Sequence, residues 1–542
     1  MEVIQTNKNL TIKDAREKFA NSQAIAKDIV NKIQAKTRKP IVGISDHHQH
    51  IKKNTIFCAV PGDNFDPRTK IDYAISKNVI AVIYESKDNF KLPLTKQKVV
   101  ILPITNLDYL QGFIAHDIYS YPSTKTKILG VTGTNGKTSI IWAISSILEQ
   151  LGVKSGIIGT LGYGTPNNLL KTLNTTPSAI PFNQYLNQLV NKRAKLIAVE
   201  VTSIALEQNR VQGCNFFGQT FTNLSHDHLD YHKNLANYFR SKQKLFLEYP
   251  SEFVLINLGD RYGQKLWQKR KKILTKKCWA LAPINCNLNK AKQFLSKLEL
   301  KQNTLPIFLV NGKNAEHFVL SILHNQKVIS QEFNTNWLGM HNLENLALAL
   351  INLYLSGFSL KEIAKAIQKI PMPNGRLQKV AVNKNQNHPE IYIDYAHTPD
   401  ALENALKTLK TKRKDKSKLW CVFGCGGNRD LGKRIEMGKI ARKYSDIVVV
   451  TSDNPRFEEP SSILNDIYPN LNLNRRNSKI KFIVDRAHAI EFALNNANTQ
   501  DLILIAGKGH EEYQDIMGKK IPFSDYQYVC QLLKQNKRKN YK

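Results

Sequence analysis

The stretch Val131-Thr132-Gly133-Thr134-Asn135-Gly136-Lys137-Thr138-Ser139 constrains this chain more than any other. The apolar run before it, Lys127-Ile128-Leu129-Gly130-Val131, predicts a buried strand, and Ile140 to Glu149 after it predicts a helix. Strand, glycine-rich turn, Gly-Lys-Thr and helix together are the layout of a phosphate-binding loop. Glycine lets the backbone turn its N–H groups inward with no Cβ in the way. Those groups and the helix N-terminus cradle phosphate oxygens. Lys137 is expected to reach the β- and γ-phosphates, and the Thr138 hydroxyl to hold Mg2+. The alternative, an ordinary glycine-rich turn, leaves Gly-Lys-Thr in this strand–helix context without a reason.

A chain of 542 residues is too long for a single core, so about two to four domains are expected. No apolar run is long enough to span a bilayer. Met1 to Leu10 lacks the apolar core of a signal peptide, so a cytoplasmic protein is expected. The 78 Lys+Arg against 44 Asp+Glu leave a charge of +34, which suits polyanionic partners. Yet Lys, Asn and Ile are frequent throughout, and the basic clusters are as short as Lys412-Arg413-Lys414 and Lys537-Arg538-Lys539. Compositional bias is therefore favoured over a nucleic-acid function. Anionic small substrates still gain from the field. The seven cysteines form no paired framework, and Cys421 and Cys425 lack a second Cys/His pair nearby, so reduced thiols are expected.

Residues 1–107 read as a small mixed α/β domain. Thr55 to Val60 and Val79 to Tyr84 are strand-like, with Pro61-Gly62 turning between them. Asp46-His47-His48-Gln49-His50 invites a metal, but without a partner pattern an exposed polar loop is expected. In residues 108–372, Asn174-Thr175-Thr176-Pro177 is a polar turn, and Lys195 to Val201 is a buried-type strand carrying Glu200 near its end. A carboxylate there, beside a phosphate loop in a parallel sheet, is placed for Mg2+, and a salt-bridged Glu is the alternative. His228 and His232 are four apart without a His-Glu-x-x-His, which argues against a protease. From Asn342 onward the apolar spacing predicts a helix. In residues 373–542, Ile391–Ile393, Leu419–Phe423, Ile447–Val450, Lys481–Val484 and Leu502–Ile505 alternate with helical patterns. That predicts a doubly wound, largely parallel sheet. Ligands sit beyond the carboxyl ends of such strands. There lie Asp394 to Asp400, Gly424 to Asp430, Asp453 to Arg456 and Ala506 to Glu511, and four such loops together suggest a site.

Gly133-Thr134-Asn135-Gly136-Lys137-Thr138 resembles the loop of the Mur ligases and the related folylpolyglutamate synthases. The resemblance to the Mur ligases extends to Asn223-Leu224 with Asp227-His228-Leu229-Asp230-Tyr231-His232, to Tyr238–Phe246, and to Gly339–Asn345. It covers nearly the whole chain and implies three α/β domains: a UDP-substrate domain over 1–107, a P-loop ATP domain over 108–372 and a Rossmann-like amino-acid domain over 373–542. In that family ATP phosphorylates a carboxylate, an amine attacks the acyl phosphate, and a tetrahedral intermediate expels phosphate. The resemblance assigns catalysis to Lys137, Glu200, His228 and Lys242. It assigns Mg2+ to Thr138, Glu200, His228 and Lys242, the last carbamylated. It implies ATP contacts from Gly133, Thr134, Asn135, Gly136, Lys137, Thr138, Asn345, Arg376, Asp394 and His397. The UDP-linked substrate falls to Thr175, Thr176, Thr202, Gln208 and Arg210. The sequence departs from the family at Ile204-Ala205, where His-Gly is usual, and at His47 and His48, which stand for Ser-Arg.

Asp453-Asn454-Pro455-Arg456 resembles the diaminopimelate form of the family's selectivity loop. Diaminopimelate ends in a carboxylate where lysine has only an ammonium. Arg456 offers a planar fork to that carboxylate and repels a lone ammonium. By resemblance Arg429, Asp453, Asn454, Gly507 and Glu511 complete the pocket, with Glu511 receiving the ammonium. The expected partners are therefore UDP-MurNAc-L-Ala-D-Glu, meso-diaminopimelate and ATP, with no nucleic acid and no membrane span, in a monomer. Competing readings are a folylpolyglutamate synthase, a GTPase or nucleic-acid-stimulated ATPase, and an inactive regulatory homologue. No Asn-Lys-x-Asp supports the GTPase.

Overall fold

The computed structural model describes residues 12–37, 39–62, 65–87, 90, 92, 99–273, 277–287, 289–291, 307–324, 327–380, 388–469 and 479–539. The expected reading of Met1–Leu10 and the side chains of Lys537–Lys539 lie outside the described residues. Three large sheets follow one another along the chain, with helices against them, so the α/β expectation holds.

The first sheet runs parallel in chain order through Gly43–Ser45, Thr55–Ala59, Ala81–Glu85 and Val100–Ile104. Helices Ile12–Thr37 and Leu107–Ile118 cover one face, where Phe19, Ala26 and Phe113 meet Ile56, Cys58 and Ile83. Helix Ile71–Ser76 covers the other, against Phe57, Val82 and Tyr84. Burial on both faces is why these strands are continuous apolar runs rather than alternating ones. The second strand starts later than Val79. Asn78 turns the chain at φ 58°, and Val79 and Ile80 fill the core before the ladder begins at Ala81.

The central sheet has eleven strands. The phosphate-loop strand Lys127–Thr132 lies inside its parallel block, between Leu196–Glu200 and Phe216–Phe221. Register pairs Val131 with Glu200 and Thr132 with Phe221, so Glu200 ends its strand level with the loop. Beneath it, helices Lys137–Gln150 and Met340–Leu355 share one core through Ile140, Ile144, Leu343 and Leu350. Antiparallel hairpins close both edges: His317–His324 with Lys327–Asn334, and Gly162–Thr165 with Asn168–Leu170. The sequence reading did not anticipate these edge strands.

The third sheet orders Gln378–Lys379, Glu390–Asp394, Leu502–Ala506, Leu419–Phe423, Ile447–Val450 and Ile480–Phe482. All but the short first strand are parallel. The last is shorter than the expected Lys481–Val484, since Phe482 makes its final ladder pair, with Val450. Register sets Asp394 against Ala506, Val422 against Ile505, and Phe423 against Val450. Four strands thus end at one level, and the loops that follow them are neighbours.

Candidate active site

The phosphate loop is shaped by close backbone approach. At Gly133, a Cβ would stand 1.8 Å from Thr222 Oγ1, and at Gly136, with φ 89°, 2.2 Å from Asn345 Oδ1. No other residue fits either place without displacing a neighbour. Asn223 accepts from Thr134 N at 2.9 Å through its carbonyl and from Asn135 N at 2.9 Å through its side chain. Lys137 Nζ donates to Gly133 O at 2.8 Å and Thr134 O at 2.7 Å, so its ammonium folds back over the loop. Burial lowers the Lys137 pKa against the opposing pull of Glu200 and Asp227.

Thr138 Oγ1 donates to Glu200 Oε1 at 3.0 Å, and Arg376 Nη2 reaches the same hydroxyl at 3.3 Å. Glu200, 1% exposed, also accepts from Thr160 N at 2.8 Å and Thr160 Oγ1 at 3.1 Å. A buried carboxylate next to a hydroxyl is a hard-oxygen donor pair of the kind Mg2+ uses. Among the described residues, no group of three or more His, Cys, Asp and Glu is arranged to hold a metal. A Mg2+ here would therefore draw on hydroxyl, water or phosphate oxygens as well.

A second cluster faces the loop. Asp227 Oδ2 lies 3.4 Å from His228 Nε2 and 3.9 Å from His397 Nε2. Burial pushes Asp227 up, but His228, His397, Lys433 and Lys137 outweigh it and hold the carboxyl well below its usual range. Burial lowers His397 to about 4 and lowers His228 as well, so both imidazoles are neutral at pH 7. Lys242 is buried. Its Nζ donates to Gly133 O at 2.8 Å and sits 4.5 Å from the centre of the Tyr238 ring. Burial and then Lys137 push the Lys242 ammonium well down.

Thr175, Thr176, Thr202, Gln208 and Arg210 gather beside Glu200. Thr176 Oγ1 donates to Glu200 O at 2.7 Å and to Thr202 Oγ1 at 3.3 Å. Arg210 donates to Thr176 O at 2.8 Å and Gln208 Oε1 at 2.6 Å, and Thr175 Oγ1 is 3.2 Å from Thr160 Oγ1. Ser178 Oγ donates to Asp46 Oδ2 at 2.9 Å, which ties the first sheet's histidine loop to this edge. That loop is only in part the exposed polar segment expected, since Gln49 and His50 are exposed. His47 and His48 are half-buried and stacked 4.7 Å apart, with Phe65 and Tyr73 each 5.8 Å from His48. The aromatic neighbours, supplied from farther along the chain, gave no local signal.

The third sheet supplies two further walls. Asp394, pushed up to about 6 by burial, accepts from Leu377 N at 2.6 Å and Ala396 N at 2.8 Å. Together with Arg376, Asn135, Gly136, Asn345 and Glu344 it lines a cavity of about 240 Å3. A second cavity, about 130 Å3, is lined by Arg429, Asp453, Asn454, Arg456, Gly507 and Glu511, and also by Asp227, His228 and His397. All four strand-end loops contribute to it. Arg456 Nη1 donates to Gly427 O at 2.6 Å, and Arg429 Nη1 lies 3.3 Å from Asp230. Polar contacts draw this sheet's loops onto the central domain: Asn135 Nδ2 donates to Asp400 at 2.8 Å, and His226 Nε2 lies 2.5 Å from Asp430.

Residues 131–353 match the Mur ligase middle domain, and residues 375–509 match the Mur ligase glutamate ligase domain. The chain is 38% identical over 487 residues to a UDP-N-acetylmuramoyl-L-alanyl-D-glutamate--2,6-diaminopimelate ligase of Wigglesworthia glossinidia brevipalpis, covering 89% of this chain and 93% of that protein. It is 37% identical over 496 residues to the protein of the same name in Aquifex aeolicus (strain VF5), covering 91% and 94%. The chain belongs to the Mur ligase family. A solved structure of a UDP-N-acetylmuramoyl-L-alanyl-D-glutamate--2,6-diaminopimelate ligase superposes with a TM-score of 0.59 at 29% identity, over 92% of this chain and 96% of that one. This Mur ligase is thus an ATP-using ligase, and its three-sheet architecture is that of the family. All seven of its cysteines are unpaired. Among the described residues, no helix is long and apolar enough to cross a membrane.

Sequence reasoning missed several residues that this Mur ligase places in the two cavities. Glu344 stands on the helix Met340–Leu355, one residue before Asn345, and looks like any exposed helix carboxylate in sequence. Lys508, from Gly507-Lys508-Gly509, lines neither cavity but is fully buried behind the second, where it donates to Asn454 and Glu511, and it reads as a loop cation. Asp227 was quoted within its motif, but its position between two histidines arises only when the third sheet closes over it.

Proposed function

We propose that this chain adds meso-diaminopimelate to UDP-MurNAc-L-Ala-D-Glu at the expense of ATP, in the cytoplasm and as a monomer. The observation that carries the reading is the 130 Å3 cavity, which holds Arg429, Asp453, Asn454, Arg456, Gly507 and Glu511 against Asp227, His228 and His397. The side chains of Arg429 and Arg456, both beside Gly426, and the Glu511 carboxylate match the distal carboxylate and ammonium of diaminopimelate. The curated relatives named for diaminopimelate addition support the same choice.

In this reading residues 1–107 bind the UDP end of the substrate, 108–372 bind ATP, and 373–542 bind the amino acid. Gly133 to Thr138 wrap the phosphates, and Lys137 swings from its loop carbonyls to the β- and γ-phosphates. Asn345, Arg376, Asp394 and His397 hold the nucleotide from the far side. Thr175, Thr176, Thr202, Gln208 and Arg210 orient the acceptor carboxylate. Thr138, Glu200, His228 and Lys242 would hold Mg2+, with Lys242 as its carbamate. Burial supports the carbamate, because a lysine pushed well down has the free amine that reacts with CO2. A bound Mg2+ neutralises charge on the transferring phosphoryl group. Arg376 and Lys137 stabilise the same charge. Attack by the amino group then needs a proton acceptor, and neutral His397 faces the cavity. Closure of the third sheet over the loop excludes water from the acyl phosphate.

The test is phosphate release from ATP with UDP-MurNAc-L-Ala-D-Glu present, adding meso-diaminopimelate or L-lysine in parallel. Release with diaminopimelate alone is expected. Release with lysine instead would overturn the amino-acid assignment and keep the ligase.

A further inference from the structure

Lys508 is 0% exposed, yet it lies in the loop after a strand, where a lysine is ordinarily solvated. A buried ammonium is costly unless it is paired and hydrogen-bonded. Here Nζ donates to Glu511 Oε2 at 3.0 Å and to Asn454 Oδ1 at 3.2 Å, and it lies 5.6 Å from the centre of the Tyr513 ring. Asn454 Nδ2 donates to the same Glu511 oxygen at 2.9 Å. The three side chains close a triangle between two loops that the chain separates by about fifty residues, 453–456 and 507–511. The hairpin Tyr513–Ile516 with Lys519–Pro522 extends the brace. Asp515 N donates to Asn454 Oδ1 at 2.9 Å, Gln514 Nε2 to Asp453 O at 2.8 Å, and Arg456 N to Asp515 O at 2.9 Å.

We propose that Lys508 is a positioning residue for the amino-acid substrate: it fixes Glu511 and Asn454 as one unit, so that Glu511 presents its other oxygen to the distal ammonium of the amino acid. The inference rests on the proposed diaminopimelate pocket and says which residue orders it. Both bonds to Glu511 fall on Oε2, so Oε1 carries neither. Without Lys508 the carboxylate is free to turn toward the guanidinium of Arg456, the group needed for the distal carboxylate. Lys508 also holds a fixed positive charge beside the site. An amino acid whose side chain ends in an ammonium alone still meets Glu511 but brings no carboxylate to offset the two cations, Lys508 and Arg456.

The experiment is steady-state kinetics of Lys508→Met, Glu511→Gln and the double variant, with diaminopimelate, ATP and the UDP-linked substrate varied separately. Lys508→Met is expected to raise KM for diaminopimelate about 10- to 100-fold, the loss of a hydrogen bond to a charged group, with KM for ATP within about twofold. The double variant should match Glu511→Gln alone, because Lys508 acts through that carboxylate. Additive losses, or equal rises in the KM for ATP, would overturn the proposal and leave Lys508 as a core cation. Should Lys508→Met not fold, Lys508→Gln keeps one donor, and the same comparison is read from it. Wild-type protein that turns over only with another amino acid overturns the pocket assignment instead, and the variants are then read with that amino acid.

Discussion

The nucleotide cradle and the amino-acid pocket are built in opposite ways. The cradle is one contiguous loop whose shape comes from backbone. Two glycines admit Thr222 and Asn345 where side chains would clash, and Asn223 satisfies two loop N–H groups. The pocket has no contiguous motif. Loops after four strands supply its side chains, and buried charges such as Lys508 beneath Glu511 brace the loops. Arg486 and Asp525 are both 0% exposed, and Arg486 donates from the same guanidinium to Ser452 O at 3.2 Å and Ala506 O at 3.0 Å. Those carbonyls immediately precede Asp453 and Gly507. Backbone can fix a site that always sees the same phosphates. A site that must tell one side-chain terminus from another needs placed charges, and placed charges need braces.

If that contrast is right, the cradle fails through chemistry and the pocket through recognition. The largest effect is expected at Lys137. Lys137→Ala should lower phosphate release on the order of 10³-fold in single-turnover measurements, because a preorganised charge on the phosphoryl group is lost. A drop below about tenfold would break the comparison at its first term. The Arg486 brace comes next. Arg486→Met leaves Asp525 buried and unpaired, at a cost of about 3–5 kcal/mol, read as a lower thermal midpoint. Pairing it with Asp525→Leu should recover much of that loss, while KM for diaminopimelate stays raised because Ser452 O and Ala506 O lose their donor. Full kinetic recovery would show that the brace is structural alone. Arg456→Ala should raise KM for diaminopimelate about 100-fold, the worth of a bidentate charged contact, and leave ATP binding within about twofold. Equal losses in the two binding assays would refute the division between cradle and pocket.

The same contrast decides what could be read from the sequence. The cradle was legible because strand, loop and helix lie in one stretch, and Glu200 because a carboxylate ends a buried-type strand. The four pocket loops were legible as strand ends, and the sheet register places them together. The braces were not. Lys508, Arg486 and Arg434 are each buried, but in a chain with 78 basic residues nothing local marks a buried cation. Asp525 and Asp466 reach Arg486 and Arg434 from other helices, and Asn454 reaches Lys508 from another loop. Lys242 shows the same limit. Its helix periodicity says only that it faces something, and the Gly133 carbonyl that it meets comes from the phosphate loop, far off in the chain. The half-buried His47 and His48 were misjudged for the same reason.

Glu344 gives the smallest effect and the sharpest test of the cradle's polarity. Burial pushes it up to about 7 from an ordinary 4.5, although Asn257 Nδ2 donates to it at 2.8 Å. The folded chain therefore binds a proton that the unfolded chain releases between pH 4.5 and 7. Stability follows the proton count, so this group's contribution is fully present below 4.5 and is lost as pH rises through 7. The nucleotide-free protein should thus lose roughly 2–3 kcal/mol across that window from Glu344 alone. Glu344→Gln cannot titrate and should remove that slope while leaving the rest of the pH profile in place. The measurement is the thermal midpoint of both proteins at several pH values between 4 and 8. Parallel profiles would mean that water or rearrangement keeps Glu344 ionised, and that this wall of the cavity is wetter than its burial implies. Convergence only at low pH would mean that the cradle stores a proton at the wall where Asn257 and Glu344 meet.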